Sequence, residues 1–166
     1  MKTLHIYDGK DYTDEMTVFE KYSVRAIIRR NGRIAMQKGA KGDYKILGGG
    51  VDKGEEFAQA LVREVKEESG LLVIPESIEE IGEIIEKRAD LFETDKIFIC
   101  HSCFYYCSIR SEQVEPQMTP SEIEKGYKLV WATPQTIIEA NQPFLSEPWI
   151  YRDTEFVREF LLSERG

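Results

Sequence analysis

No uncharged apolar run in this chain is long enough to cross a bilayer, so no membrane-spanning helix is expected. Internal repeats and low-complexity tracts are also missing, which excludes a solenoid or a compositionally disordered chain. Cysteine is scarce. Its three copies, Cys100, Cys103 and Cys107, all fall in "IFICHSCFYYCSI". That stretch reads as a strand, which puts Cys103 and Cys107 on one face roughly 13 Å apart at about 3.3 Å per residue, with Cys100 turned away. One zinc ion cannot be held by that geometry, so the thiols read as half-buried packing residues and His101 as their neighbour on the strand. Positive charge is in deficit: 22 Lys and Arg stand against 30 Asp and Glu, a net charge of −8. That argues against a nucleic-acid backbone or an anionic membrane as the main partner, yet it leaves room for a small phosphorylated ligand bridged by a cation. The opening "MKTLHIYDGKDYTDE" has no apolar stretch of signal-peptide length, so a cytoplasmic location is expected.

What is present suits one domain over residues 1–166 with a single good core. "SVRAIIRRNGRIAMQK" is two apolar runs about Asn31-Gly32, a strong hairpin signal because both turn positions need φ > 0. A loop, "KGAKGDYK", follows. After Gly70, "LLVIPESIEEIGEIIEKRA" reads as strand, turn and strand, and "KIFICHSCFYYCSI" as a further strand. "RSEQVEPQMTPSEIEKG" is polar, acidic and interrupted by proline, and reads as a mobile loop. "YKLVWAT" is a short strand, "PQTIIEAN" a helix opened by Pro134, and "RDTEFVREFLLSE" an amphipathic helix through Phe156, Val157, Phe160 and Leu161. The class is α+β, with a mixed sheet and helices on its faces.

The centre of the chain is "GGGVDKGEEFAQALVREVKEESGL", residues 48 to 71. On a helical wheel with Phe57 at 0°, the residues Phe57, Leu61, Val65, Ala58 and Val62 spread over about 140°, an apolar face that must dock on a sheet. Glu64, Glu67 and Glu68 share one edge of it, Glu68 at the apolar margin. Two such charges about 5 Å apart at an effective dielectric of about 20 repel by roughly 3 kcal/mol. A solvated acidic face is the plain reading of an acidic helix. Here the apolar border and the glycine loop favour a counter-charge instead. Arg63 offsets part of the repulsion, and a divalent ion with oxygen ligands, Mg²⁺ or Mn²⁺, offsets more. Ala60, one turn below Glu64, would leave room beside the acids. Gly48-Gly49-Gly50 permits close backbone approach, and Gly70 serves as the helix stop.

Taken together, Gly49, Glu55, Arg63-Glu64, Val65, Glu67-Glu68, Gly70 and Leu71 resemble the Nudix box at every fixed position. The resemblance implies a Nudix-type α/β/α sandwich about a central catalytic helix. It also implies hydrolysis, with Mg²⁺ or Mn²⁺, of a diphosphate linked to another moiety, usually a nucleoside. The glutamates matching Glu64, Glu67 and Glu68 would hold metal, helped by a carbonyl near Gly48. Glu55 and Arg63 would buttress the site, with Gly49 and Gly70 shaping it. Glu64 or Glu67 in the box, or Glu122 and Glu124 ahead of Trp131, would supply the base; Glu112 and Glu115 are further candidates. Tyr105, Tyr106, Phe92 and Phe104 are candidates to stack a base. A small nucleoside diphosphate derivative is the expected partner, and a homodimer is compatible with the sequence. A Nudix-fold module that senses a nucleotide without cleaving it is the alternative.

Overall fold

The structure is a computed structural model that describes residues 1–93 and 95–162. Its elements run β1 (Thr3–Asp8), β2 (Thr17–Ile27), β3 (Arg29–Arg30), β4 (Arg33–Lys38), β5 (Tyr44–Ile46), β6 (Gly48–Gly50), α1 (Phe57–Ser69), β7 (Leu71–Val73), β8 (Glu79–Ala89), β9 (Lys96–Tyr106), β10 (Ile109–Gln113), α2 (Pro120–Glu124), β11 (Lys128–Ala132), α3 (Pro134–Asn141) and α4 (Pro148–Phe156). The main sheet has the order β1-β8-β9-β2-β6 and a smaller one the order β11-β4-β3, with β5 on β4. The main sheet is mixed: β1 and β8 are parallel, as are β2 and β9, while β8 and β9 are antiparallel, as are β2 and β6.

Strand alternation sorts the core into two halves. Val24, Ala26 and Ile28 pack with Cys103, Tyr105 and Cys107 under Leu61 and Val65 of α1. Ile27, Phe104 and Ile84 face the other way and pack with Ile137, Ile138, Phe156 and Val157 of the C-terminal helices. Helices therefore cover both faces of the sheet, the α/β/α arrangement expected. The Asn31-Gly32 hairpin forms, with φ of 52° and 74° at its two turn residues.

Several sequence expectations are corrected. β1 and the first half of β2 lie in an N-terminal stretch for which no element is expected. "RSEQVEPQMTPSEIEKG" is a loop only in part: β10 pairs with β7, and α2 is closed by a capping box in which Thr119 and Glu122 bond each other's backbone amides, while 114–119 between them has no regular element. The pairing of β10 is non-local, which is why local polarity misread it. The C-terminal helix begins earlier than expected, at Pro148, and turns to a π-helical segment over Val157–Leu161; the last two residues of "RDTEFVREFLLSE" lie outside the described residues. Phe104 is fully buried in a stack on Phe156, with ring centroids 4.0 Å apart, and Tyr105 is core, so neither is open to a base. Tyr106 lies under the Arg29 guanidinium at 4.3 Å, and Phe92 is exposed.

α1 docks turned toward its acid edge. Ala58 is exposed and Val62 half-buried, while Ala60, Leu61, Val65, Glu68 and Ser69 are buried. Ala60 is thus core at 0% exposure and leaves no room beside the acids, contrary to expectation. Counting only apolar residues misplaced the stripe by a fraction of a turn, because a buried glutamate belongs to it. Gly70 ends the helix in the left-handed region at φ 77°, as expected.

Candidate active site

Three glycines bring the backbone of β6 against α1. A side chain at Gly48, where φ is 147°, would overlap the Val24 carbonyl, and one at Gly49 would overlap the Glu64 carboxylate. Only glycine therefore lets Glu64 pack flat on this strand. The Gly48 amide donates to Glu68 Oε1 at 2.6 Å, and the Gly48 carbonyl accepts from Arg25 Nη1 at 3.2 Å.

Arg63 is the hub of the helix edge. Its Nε donates to Glu55 Oε2 at 2.7 Å and its Nη2 to Glu55 Oε1 and the Gly50 carbonyl, both at 3.0 Å. Its Nη1 reaches Glu64 at 3.0 Å and Glu67 at 3.3 Å. The bidentate bond to Arg63, and then the Asp52 amide, hold the Glu55 carboxyl well below the usual range, at about 2. Glu55 and Arg63 thus tie the glycine strand and its following turn to the helix.

Glu68 is only 4% exposed, and burial pushes its pKa up to about 8 against the opposing pull of Lys45 and the Gly48 amide. Lys45 Nζ stands 3.8 Å from Glu68 Oε2. Glu64 is raised by burial too, with Arg63 opposing. Glu122 reaches this group from the far side, and its charge raises Glu68 further. Glu122 Oε1 accepts from the Thr119 amide at 3.0 Å, and Gln37 Nε2 approaches Oε2 at 3.5 Å. Although burial opposes it, the bonds from the Thr119 amide and hydroxyl keep Glu122 below the usual range. Glu124 does not join the group. It lines a separate cavity of about 270 Å³ with Lys41, Tyr127 and Trp149. Glu112 and Glu115 are exposed on and after β10.

The side chains fit a hard divalent ion in donor chemistry, being oxygen-only, partly desolvated and set around a glycine cradle that a Cβ would fill. Among the described residues no three of them converge as a ready-made metal cluster. Each carboxylate is instead held by Arg63, Lys45, the Gly48 amide or its neighbour.

Beside β6 opens a second feature that the sequence reading missed. A cavity of about 160 Å³ is lined by Lys21, Ser23 and Arg25 of β2, Glu86 and Arg88 of β8, Phe98 and Cys100 of β9, and Trp149 and Arg152 of α4. The period-two pattern of Lys21, Ser23 and Arg25 was the available signal, since it puts three polar residues on one strand face. Arg152 comes from a remote helix and carried none.

A profile of the NUDIX domain matches residues 20–153. No curated protein matches the chain. Among solved structures, a Nudix hydrolase from Nitrosomonas europaea is similar at 18% identity and a TM-score of 0.59, covering 82% of this chain and 87% of that one. The MutT protein of Bacillus halodurans gives 17% and 0.55, over 87% and 84%. A MutT Nudix hydrolase from Burkholderia pseudomallei gives 21% and 0.52, over 70% and 85%. At these identities the likeness is one of fold. No described helix is long and apolar enough to cross a membrane.

Proposed function

The chain belongs to the Nudix hydrolase family, and from that premise we propose that it is a pyrophosphohydrolase, dependent on Mg²⁺ or Mn²⁺, that cleaves a diphosphate linked to another moiety in a nucleotide derivative. The observation that carries this reading is the acid edge of α1, where Glu64 and Glu68 are desolvated against Gly48 and Gly49 while Arg63 ties Glu55, Glu64 and Glu67 together. An acidic surface without a ligand would leave its carboxylates in water. Here two are driven partly out of it, at a cost that a bound cation would offset.

Glu64, Glu67 and Glu68, with the Gly48 carbonyl, are the groups we assign to the ion. When bound, it supplies positive charge against the phosphate oxygens and lowers the pKa of water. Arg63 holds Glu64 and Glu67 at fixed rotamers. Lys45, beside Glu68, adds positive charge where the cleaved diphosphate would lie. Glu122 is the carboxylate we assign as base: it is held below the usual range, and so is ionised at neutral pH. Its Oε2, which Gln37 Nε2 approaches at 3.5 Å, is the atom we assign to take the proton of the attacking water. Gln37, fully buried, and Thr119 fix that carboxylate in place.

The test is a panel of nucleoside diphosphate derivatives incubated with Mg²⁺ or Mn²⁺ and scored for released phosphate, pyrophosphate and nucleoside monophosphate. Turnover of at least one compound that EDTA abolishes supports the reading. Saturable nucleotide binding with no turnover under either metal replaces it with a sensing module.

A further inference from the structure

The cavity beside β6 holds three guanidinium groups from three different elements, Arg25, Arg88 and Arg152, together with the Lys21 ammonium. Among the described residues, each guanidinium has one buried N–H with no hydrogen-bond partner: Arg25 Nε, Arg88 Nε and Arg152 Nη2. Unpaired buried donors are costly, and the three arginines that carry them all line one small cavity, where a bound anion would offset their charge. Arg152 is 3% exposed, and its other nitrogens are already committed to Glu86 at 3.2 Å, Ser102 at 3.2 Å and Asp153 at 2.9 Å. Arg25 is committed to the Ile46 and Gly48 carbonyls, and Arg88 lies on the Phe98 ring at 4.5 Å. All three are thereby fixed, with the spare donor left over. Burial and then the neighbouring Arg152 lower the pKa of Arg25, as expected for two cations held close together.

We infer that this cavity is a phosphate subsite of the active site, and that it takes a phosphate of the substrate beyond the diphosphate that is cleaved. The inference rests on the hydrolase reading for the word substrate, but not for the site itself. Cationic side chains from β2, β8 and α4 line the cavity on several sides, which suits a tetrahedral oxyanion with acceptors in every direction better than a planar carboxylate. At about 160 Å³ the space fits one such group and not a whole nucleoside. Its place is also specific. Arg25 bonds the carbonyl of Gly48, whose amide holds Glu68, so the subsite and the acid edge share one residue of β6. Lys21 lies against Gly50 of the same strand.

The experiment has two arms. In the first, inorganic phosphate is titrated calorimetrically into the full chain in EDTA, which silences any metal-dependent binding at the acid edge. Saturable binding is expected, weakened at least about tenfold by Arg88→Gln or by Lys21→Gln, and unchanged in Glu64→Gln. Both cationic variants alter half-buried or exposed positions, so each is expected to fold, as thermal melting will verify. No saturable binding, or equal binding by wild type and both variants, overturns the site. In the second arm, a nucleoside triphosphate is compared with the matching nucleoside diphosphate. The triphosphate is expected to have the lower KM, and Arg88→Gln to remove that advantage with kcat kept within about twofold. An advantage that survives Arg88→Gln, or none in the wild type, overturns the assignment to substrate. If no compound turns over, the hydrolase reading fails and the phosphate titration alone still decides the site.

Discussion

Glu122 and Glu55 show how one residue type is put to different uses by its surroundings. Glu122 occupies the third position of α2, where its carboxyl closes the capping box with Thr119. Glutamine serves that box as well as glutamate. Glu122→Gln is therefore expected to keep the melting temperature near wild type while lowering kcat by about 10²–10⁴, read from steady-state kinetics beside a thermal melt. Wild-type turnover in that variant would move the base to Glu64 or Glu67. Glu55 acts through Arg63. Its pKa falls from 4.5 in the ordinary state to about 2 in the fold, so it contributes stability that is fully present above about pH 4.5 and is lost as pH falls through about 2. Glu55→Gln should accordingly destabilise the protein at pH 6, and the gap to wild type should close as denaturant melts are repeated at pH 4, 3 and 2. A gap that stays constant with pH would mean that the ion pair with Arg63 is not its source. The box residues could be read from the sequence because their spacing is local. Gln37 and Lys45 could not, since they meet Glu68 and Glu122 only through the pairing of β4 with β5 and β11.

At the scale of elements, α1 carries both the core and the chemistry, and the two separate cleanly along it. Leu61 is fully buried under the sheet, so Leu61→Ala should cost about 2–5 kcal/mol in denaturant melts through the cavity it leaves, with kcat per folded molecule preserved. Glu64→Gln should do the reverse, leaving the melt near wild type and removing most of kcat. Equal stability losses in the two, with activity tracking the folded fraction, would remove Glu64 from the site. The helix itself, its glycine stop and the Asn31-Gly32 hairpin were legible because periodicity and turn chemistry are local signals. Its rotation was not: the sequence marks Glu68 as polar, and only the Gly48 amide and Lys45 explain why it can be buried. β10 and α2 were hidden for the same reason, their polar residues being ordered by β7 and by the Thr119 cap rather than by an apolar pattern of their own.

For the whole molecule, the mixed sheet serves to bring chain-distant groups together. β6 sets its glycines against α1, β2 and β8 bring Lys21, Arg25 and Arg88, and α4 adds Arg152. An overall charge of −8 is thus compatible with a cationic cavity directly beside a carboxylate edge. The central claim is that this edge hydrolyses a phosphoanhydride with the help of a divalent ion. The most direct measurement is ³¹P NMR of a nucleoside triphosphate incubated with Mg²⁺ or Mn²⁺ and the wild-type chain, repeated with EDTA and with Glu64→Gln at matched folded fraction. The expected result is conversion to nucleoside monophosphate by the wild type alone, abolished by EDTA and reduced by orders of magnitude in Glu64→Gln. Equal conversion by wild type and variant, or conversion that persists undiminished in EDTA, would contradict the account.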